Sequence, residues 1–297
     1  MYHLITFILL SVVGVVVVVH ASENIYWAIE LNHETTDPHV FAMEHHLEFV
    51  HNHTFLKGIF LFKSKQSQDQ YKLESSLASN SQVAWSQQQI PRKQHKRTLL
   101  AGRFGDPAYS RQWHLHDPPH TGSGVSIKAD KAWSKGVTGR GITIAIVDDG
   151  VEMNHPDLKG NIDRQKSWNF NYNKADTTPA SYNGHGTAAA GVAAAVRNNG
   201  HCGSGAAPNS KLVGEVLIAE ACSDYTESMA LSHHSNSGVD IYSCSWGPSD
   251  DASNLIGPGR LMKLVLERGV SSGRNGKGSI FMWAGGNGKQ HNDVSLF

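Results

Sequence analysis

The sequence predicts an α/β domain built on a parallel sheet with helices on both faces, preceded by a small α+β unit. Three observations predict it. Residues 142–147, Ile-Thr-Ile-Ala-Ile-Val, form a β-branched apolar run of the kind buried on both faces of a parallel sheet, and the run stops abruptly at Asp148-Asp149-Gly150. From Asp106 onward strand-like and helix-like segments alternate, as βαβ units require. Residues 24–89 instead carry short alternating strands and two helical spacings, set off by a basic linker. At 297 residues and 39% hydrophobic, the chain can bury one large core and one small one. Its 26 acidic and 26 basic residues leave no basic excess to hold a nucleic acid.

Taken in order, residues 4–19 are apolar and are followed by Val19-His20-Ala21, which fits a signal peptide (1–21) cleaved after Ala21. The run is shorter than the ~20 residues of a spanning helix. An uncleaved anchor is the alternative, because no Lys or Arg precedes the run. The expectation is entry into the secretory pathway, in the ER/Golgi lumen or secreted, with no later membrane anchor in this chain. Asn52-His53-Thr54 is a glycosylation sequon, placing a candidate glycan on Asn52.

The small unit, within a domain of residues 22–97, begins with Ile25, Trp27, Ile29 and Leu31 alternating as in a half-buried strand. Asp37-Pro38 caps a helix carrying Val40, Met43, Leu47 and Val50. Residues 58–62 predict a second strand, 70–78 a second helix and 82–85 a third strand. Then comes Pro91-Arg92-Lys93-Gln94-His95-Lys96-Arg97, which alone reads as a solvated linker. Between a small unit and a larger domain in a secreted chain it reads as a processing site, cut after Arg97.

In the larger domain, residues 98–297, strands are expected over 211–216, 241–245 and 279–283. Helices are expected over 225–234 and 260–268, the latter stopped by Gly269. Asn183-Gly184-His185-Gly186-Thr187 leads into 188–195, a helix of nearly minimal side chains that can pack close to a sheet and hold His185 with little slack. Asp148 alone reads as the end of a strand at an Asp-Gly turn, and His185 alone as structural. Each lies at the edge of a regular element, so the acid and the imidazole can meet over the sheet, one orienting the other as a general base.

These blocks resemble a known family. Ile146-Val147-Asp148-Asp149-Gly150, Gly184-His185-Gly186-Thr187, Ser243-Cys244-Ser245-Trp246-Gly247-Pro248 and Ala284-Gly285-Gly286-Asn287-Gly288 are similar to the successive signatures of the subtilisin-like serine proteases. The Asp-Asp-Gly and Ser-Trp-Gly-Pro forms are those of the kexin/furin branch, the proprotein convertases. With Gln290-His291-Asn292-Asp293, they are most similar to the type 7 subgroup of that branch. The resemblance implies a subtilisin-like sheet, C-terminally truncated, behind an inhibitory and chaperoning propeptide. It also implies cleavage of peptide and protein precursors after paired basic residues.

Carried over by position, the resemblance implies that Asp148 orients His185, that His185 is the general base, and that Asn287 is the side-chain donor of an oxyanion hole. Ser245, Trp246 and Gly247 correspond to the strand edge that pairs with an extended substrate. Asp149, Asn183 and Asp250 correspond to cleft residues, with Asp250 near the P1 arginine. Tyr182 and Ile256 stand where the family has acids, which weakens the expected demand for arginine at P4. Calcium is implied as cofactor: Asp106, Asp157 and Asn199 correspond to side-chain ligands, with backbone oxygens near Val196, His201 and Gly203, and Asp250 with Asp293 resembles part of a second site.

The family's Gly-Thr-Ser-x-x-x-Pro nucleophile block does not occur in these 297 residues. The expectation is therefore a part of a protease, inactive as it stands, whose sheet lacks its last strands. Cys202 corresponds to a half-cystine without its partner, and Cys244 is expected to be a buried thiol. A different class remains open: a non-catalytic secreted protein whose propeptide-like unit binds a full-length convertase. A third possibility is a relic with no folded product. The implied partners are the chain's own propeptide, basic-site precursors and such a convertase. Protonation of His51 and His53 near pH 6 is expected to loosen the propeptide.

Overall fold

The computed structural model describes residues 24–32, 37–65, 68–92, 95–96, 109–116, 126–248 and 257–287. The signal-peptide expectation, and those resting on Arg97, Asp106, Asp250 and Asp293, lie outside them.

The N-terminal unit is an antiparallel four-stranded sheet, order β2-β3-β1-β4, of β1 (Asn24–Leu31), β2 (Glu48–Asn52), β3 (Ile59–Lys65) and β4 (Val83–Gln89). Period-2 alternation sorts β1: Trp27, Ile29 and Leu31 join Phe41, Phe62, Leu73 and Leu77 in a core under helices α1 (Pro38–Glu44) and α2 (Gln70–Ser79), while Ala28 faces the other way. Asp37 caps α1 by accepting from the His39 amide at 2.8 Å. The helix ends earlier than its apolar spacing predicts. His46 adopts a left-handed φ of 55°, the Leu47 amide closes back on Ala42 O at 2.8 Å, and Val50 passes into β2, a strand the spacing had hidden.

The larger domain holds five parallel strands in the order β11-β9-β6-β8-β7: β6 (Thr143–Asp148), β7 (Trp168–Asn169), β8 (Lys211–Val216), β9 (Ile241–Cys244) and β11 (Ile280–Trp283). A two-stranded antiparallel pair, β5 (His95–Lys96) with β10 (Trp246–Gly247), joins the two parts of the chain. Helices are α3 (Ala129–Ser134), α4 (His185–Ala194), α5 (Asp224–Ala230) and α6 (Arg260–Gly276). On one face Ile144, Ile146 and Leu212 pack on Ala190 and Ala194 of α4; on the other Ala145, Val147, Val213 and Tyr242 pack under α5 and α6. The sheet therefore has helices on both faces.

Helix α5 is shorter than expected and starts in a capping box between Ser223 and Thr226. The Asp224 carboxylate then caps α6, accepting from the Leu261 and Met262 amides at 2.9 and 3.0 Å. Gly269 does not stop α6, whose helical backbone continues until Gly273. A Cβ at Gly269 would lie 2.7 Å from the Phe281 ring, so this glycine lets the helix approach β11. Among the described residues no helix is long and apolar enough to cross a membrane.

The second face of the N-terminal sheet is buried against α5 and α6. Ala28, Leu56, Ile59 and Leu61 share one apolar cluster with Tyr225, Leu261 and Val265. Arg260 bridges to Glu30 at 2.9 Å and lies over the Trp85 ring, and Arg268 lies over Phe55.

Candidate active site

Strand β6 delivers Asp148 to the carboxyl edge of the sheet, fully buried. Both of its carboxylate oxygens lie 2.8 Å from His185 Nδ1, and Oδ1 also accepts from the Asp149 amide. Burial pushes the Asp148 carboxyl above its ordinary pKa, while the His185 imidazole and the Asp149 amide pull it back. Gly186 is required beside it: a Cβ would meet Gly150 O at 2.3 Å and Asp148 Cβ at 2.9 Å. The small residues of α4 thus bring the histidine onto the acid. With Nδ1 committed to Asp148, proton exchange at this imidazole would run through Nε2.

The buried Asp149 carboxylate accepts from the backbone amides of His185 (3.3 Å) and Gly186 (2.8 Å), so among its described contacts it caps α4. Asn183 is half-buried two residues before His185. Asn287 lies just past β11, whose neighbour Ala284 is tied to Cys244 O at 3.0 Å. Trp246 is fully buried, donates Nε1–H to Val147 O at 2.7 Å and meets Trp283 edge-on. The strand edge expected to receive an extended peptide carries the chain's own segment: Trp246 pairs with Lys96 and Gly247 with His95. Cys244 is buried, as expected, and Cys202 is exposed.

Sequence reasoning missed one acidic contact upstream of this edge. Arg92 and Cys222 form an antiparallel bridge, and the Arg92 guanidinium lies 3.9 Å from the buried Glu227 carboxylate, which also accepts from the Cys222 thiol. Burial pushes the Cys222 thiol far above its ordinary range, so it is an inert donor here. The signal available was Glu227, an acid on a short apolar-faced helix, and the first arginine of the basic linker.

Asp157, Asn199 and Gly203 do meet. Asn199 Nδ2 and the Gly203 amide donate to the Asp157 carboxylate at 2.8 and 3.4 Å, and the Val196 amide donates to Asp157 O at 2.9 Å. The His201 amide binds Asn199 Oδ1. Among the described residues no cluster of three or more His, Cys, Asp or Glu could hold a metal. The buried Asp157 carboxylate has no described cationic partner, but its described contacts are N–H donors and Asn199 Oδ1 accepts from the His201 amide, so a hard cation would have to displace these contacts and take the oxygens instead.

Docking of the N-terminal sheet buries His53. Its Nδ1 accepts from the Phe55 and Leu56 amides at 3.2 and 3.0 Å, so Nε2 carries the proton and donates to Ser228 Oγ at 2.9 Å. Burial first, and His51 second, lower its pKa from 6.5 to about 4. A depressed histidine stabilises docking fully above 6.5, and this contribution is lost as pH falls from 6.5 toward 4, by about 1.4 kcal/mol per unit. The expected result is roughly tenfold faster opening at pH 5.5 than at 7.5, read from exchange of the Phe55 and Leu56 amides after correction for intrinsic rates. A flat profile contradicts it.

Residues 139–296 match the subtilase family of peptidases S8, and residues 26–97 match the peptidase S8 pro-domain. Human furin is 42% identical over 74% of this chain and 27% of its own length. Mouse proprotein convertase subtilisin/kexin type 7 is 41% identical over 74% and 28%, so identity does not separate the type 7 subgroup from furin. Furin-like protease 2 of Drosophila melanogaster is 44% identical over 64% and 11%. The chain thus spans a third or less of these relatives' lengths. The epidermin leader peptide processing serine protease of Staphylococcus aureus shares the fold, with a TM-score of 0.60 at 19% identity over 90% of this chain and 61% of that one. Fervidolysin of Fervidobacterium pennivorans does too, with a TM-score of 0.59 at 17% identity over 91% and 40%. The chain belongs to the subtilase family and carries that family's pro-domain ahead of its parallel sheet.

Proposed function

We propose that the chain is the pro-domain and cleft-forming part of a calcium-dependent serine endopeptidase of the proprotein convertase branch, acting in the secretory pathway on precursors with paired basic residues. One observation carries this reading: the Asp148–His185 pair at the sheet's carboxyl edge stands beside a strand edge already paired with the basic linker. Asp148 holds the imidazole and balances the charge it gains. His185 takes the proton of a serine hydroxyl through Nε2 and returns it to the leaving amine. Asn287 donates to the developing oxyanion. Ser245, Trp246 and Gly247 align the substrate as an added strand, with Asp149, Asn183 and Asp250 around its basic side chains. Glu227, which faces Arg92, extends this acidic reading upstream. The type 7 assignment rests on the Ser243–Pro248 and Gln290–Asp293 residues alone.

No serine block of the family pattern lies in these 297 residues, so the reading is tested on a form of the protein that carries one. That form should cleave a fluorogenic peptide ending in Lys-Arg and not one ending in Leu-Leu; equal turnover of both would sink the specificity.

Calcium would be held by Asp157 and Asn199 with carbonyls near Val196, His201 and Gly203, and with Asp106; Asp293 would belong to the second site. When bound it supplies cross-linking of loops rather than chemistry. At calcium a hundredfold above its Kd the expected stabilisation is about 2.7 kcal/mol. EDTA should therefore lower Tm by several degrees, and Asp157→Ala should abolish that shift; a melting curve indifferent to EDTA contradicts it.

A second reading is favoured by the separate core of the N-terminal sheet. In it the chain presents its pro-domain to a full-length convertase. Added in micromolar amount, the chain should then inhibit that enzyme, and no inhibition removes this reading.

A further inference from the structure

Strand β8 carries a carboxyl where its surroundings are apolar. Glu215 is fully buried, alternates with Val213 on the face under α5 and α6, and lies in register with Val147 of β6 and Trp168 of β7. Its Oε1 is 3.2 Å from Nδ1 of His233, in the turn after α5. Its Oε2 is buried with no hydrogen-bond partner among the described residues. The imidazole is itself held in place: Phe170 meets it edge-on at 5.2 Å, and Tyr242 Oη donates to His233 O at 2.6 Å. From β9, Tyr242 and Cys244 face Glu215 as a neutral hydroxyl and thiol, both held far above their ordinary range by burial first and Glu215 second. Asp148 and Glu227 act on Cys244 in the same sense and add only negative charge. The His234 ring centre lies 4.1 Å from that of His233, and burial, His233 and Lys166 lower its pKa to about 4; Lys166 is paired with Asp163 at 2.6 Å. An ionised Glu215 would thus leave one oxygen bare in the core, which is costly. The neutral acid needs a single acceptor for its O–H, and His233 Nδ1 stands within that distance. Burial drives both groups the same way, Glu215 well above its ordinary 4.5 and His233 from 6.5 to about 4, so each favours its neutral form.

We propose that Glu215 stands in the core as the neutral acid and donates its proton to His233 Nδ1, a latch that holds the end of α5 on β8 and loosens as pH rises. The helix it holds is the one that receives the N-terminal sheet, through Ser228 to His53 and through Glu227 to Arg92. Folded, the pair keeps one proton. Unfolded, it carries two below 4.5, one between 4.5 and 6.5, and none above 6.5. A carboxyl raised by folding loses its contribution as pH rises, and a histidine lowered by folding loses its contribution as pH falls. Between 4.5 and 6.5 the two slopes cancel, so the latch is level there. Above 6.5 only the Glu215 slope remains, and the ratio of folded to unfolded chain falls tenfold per pH unit. His53 works in the opposite sense, so mild acid weakens the docked sheet while the latch keeps the helix it sat on.

Two measurements on the whole chain test the latch. Glu215→Gln keeps the side chain's shape and cannot ionise. Its advantage over wild type, taken as the ratio of their folding constants from urea unfolding, should therefore grow about tenfold per pH unit, a hundredfold from about pH 5.5 to 7.5. An advantage that changes less than about threefold over that span overturns the latch. The place of the proton is read from the imidazole nitrogen-15 signals of wild-type protein near pH 5.5, assigned through the backbone. His233 should show Nδ1 unprotonated and Nε2 protonated. An imidazolium there would be a buried ion pair and would overturn the neutral acid. The spectra need no variant, so they decide the matter even if Glu215→Gln does not fold. Neither readout depends on cleavage, so the protease reading stands or falls separately.

Discussion

Replacing Asp148 by asparagine should lower kcat for basic-site cleavage by about 10⁴ while leaving KM within a factor of about two, in a form of the protein carrying the serine block. The asparagine side chain has the same shape, so the buried site keeps its packing. What changes is the proton. Asp148 accepts from His185 Nδ1 with both oxygens at 2.8 Å, which fixes the tautomer with Nε2 unprotonated and stabilises the imidazolium that forms. An amide can present its NH₂ to Nδ1 instead, which puts the ring proton on Nε2 and leaves the base unable to accept. Asp148 is buried beneath His185, so substrate binding should be spared. A loss confined to KM, or a turnover reduced less than tenfold, would show that the pair does not do the proton transfer.

Replacing Trp246 by alanine should lower the unfolding free energy by about 3–5 kcal/mol. Its side chain is fully buried, packs edge-on against Trp283 at a centroid distance of 4.7 Å, and donates to Val147 O beside Asp148. Deletion leaves a cavity and an unpaired carbonyl under the cleft. Trp246→Phe separates the two effects: it keeps most of the volume and loses only the hydrogen bond, so about 1–3 kcal/mol should go. Because Trp246 also pairs with Lys96, the alanine variant should release the 95–96 segment as well. Urea unfolding followed by circular dichroism gives both values; a cost below about 1 kcal/mol for alanine would mean that this edge is not tied to the core.

The parts legible in the sequence were those set by local chemistry. The strand at 211–216 and the helix start at Asp37 follow from period and capping, and the meeting of Asp148 with His185 follows from a strand end and a helix of small residues. The parts that were hidden depend on partners remote in the chain. Gly269 reads as a helix stop until Phe281 is seen against it. Val50 keeps helical spacing with α1, yet the left-handed His46 sends it into a strand. Strands of two residues, such as His95–Lys96 and Trp246–Gly247, carry no periodic signal at all and exist because each supplies the other's hydrogen bonds. The Arg92–Glu227 contact spans the two parts of the chain, so only their docking could reveal it.

The account rests on His185 acting on the basic segment seated beside it. The most direct measurement is the intact mass and N-terminal sequence of the serine-bearing form, refolded from purified material so that no other protease is present. Wild-type protein should yield a mature chain beginning at Thr98 with residues 22–97 still bound, and His185→Ala should remain uncut. A His185→Ala protein cut after Arg97 at the wild-type rate would contradict the account.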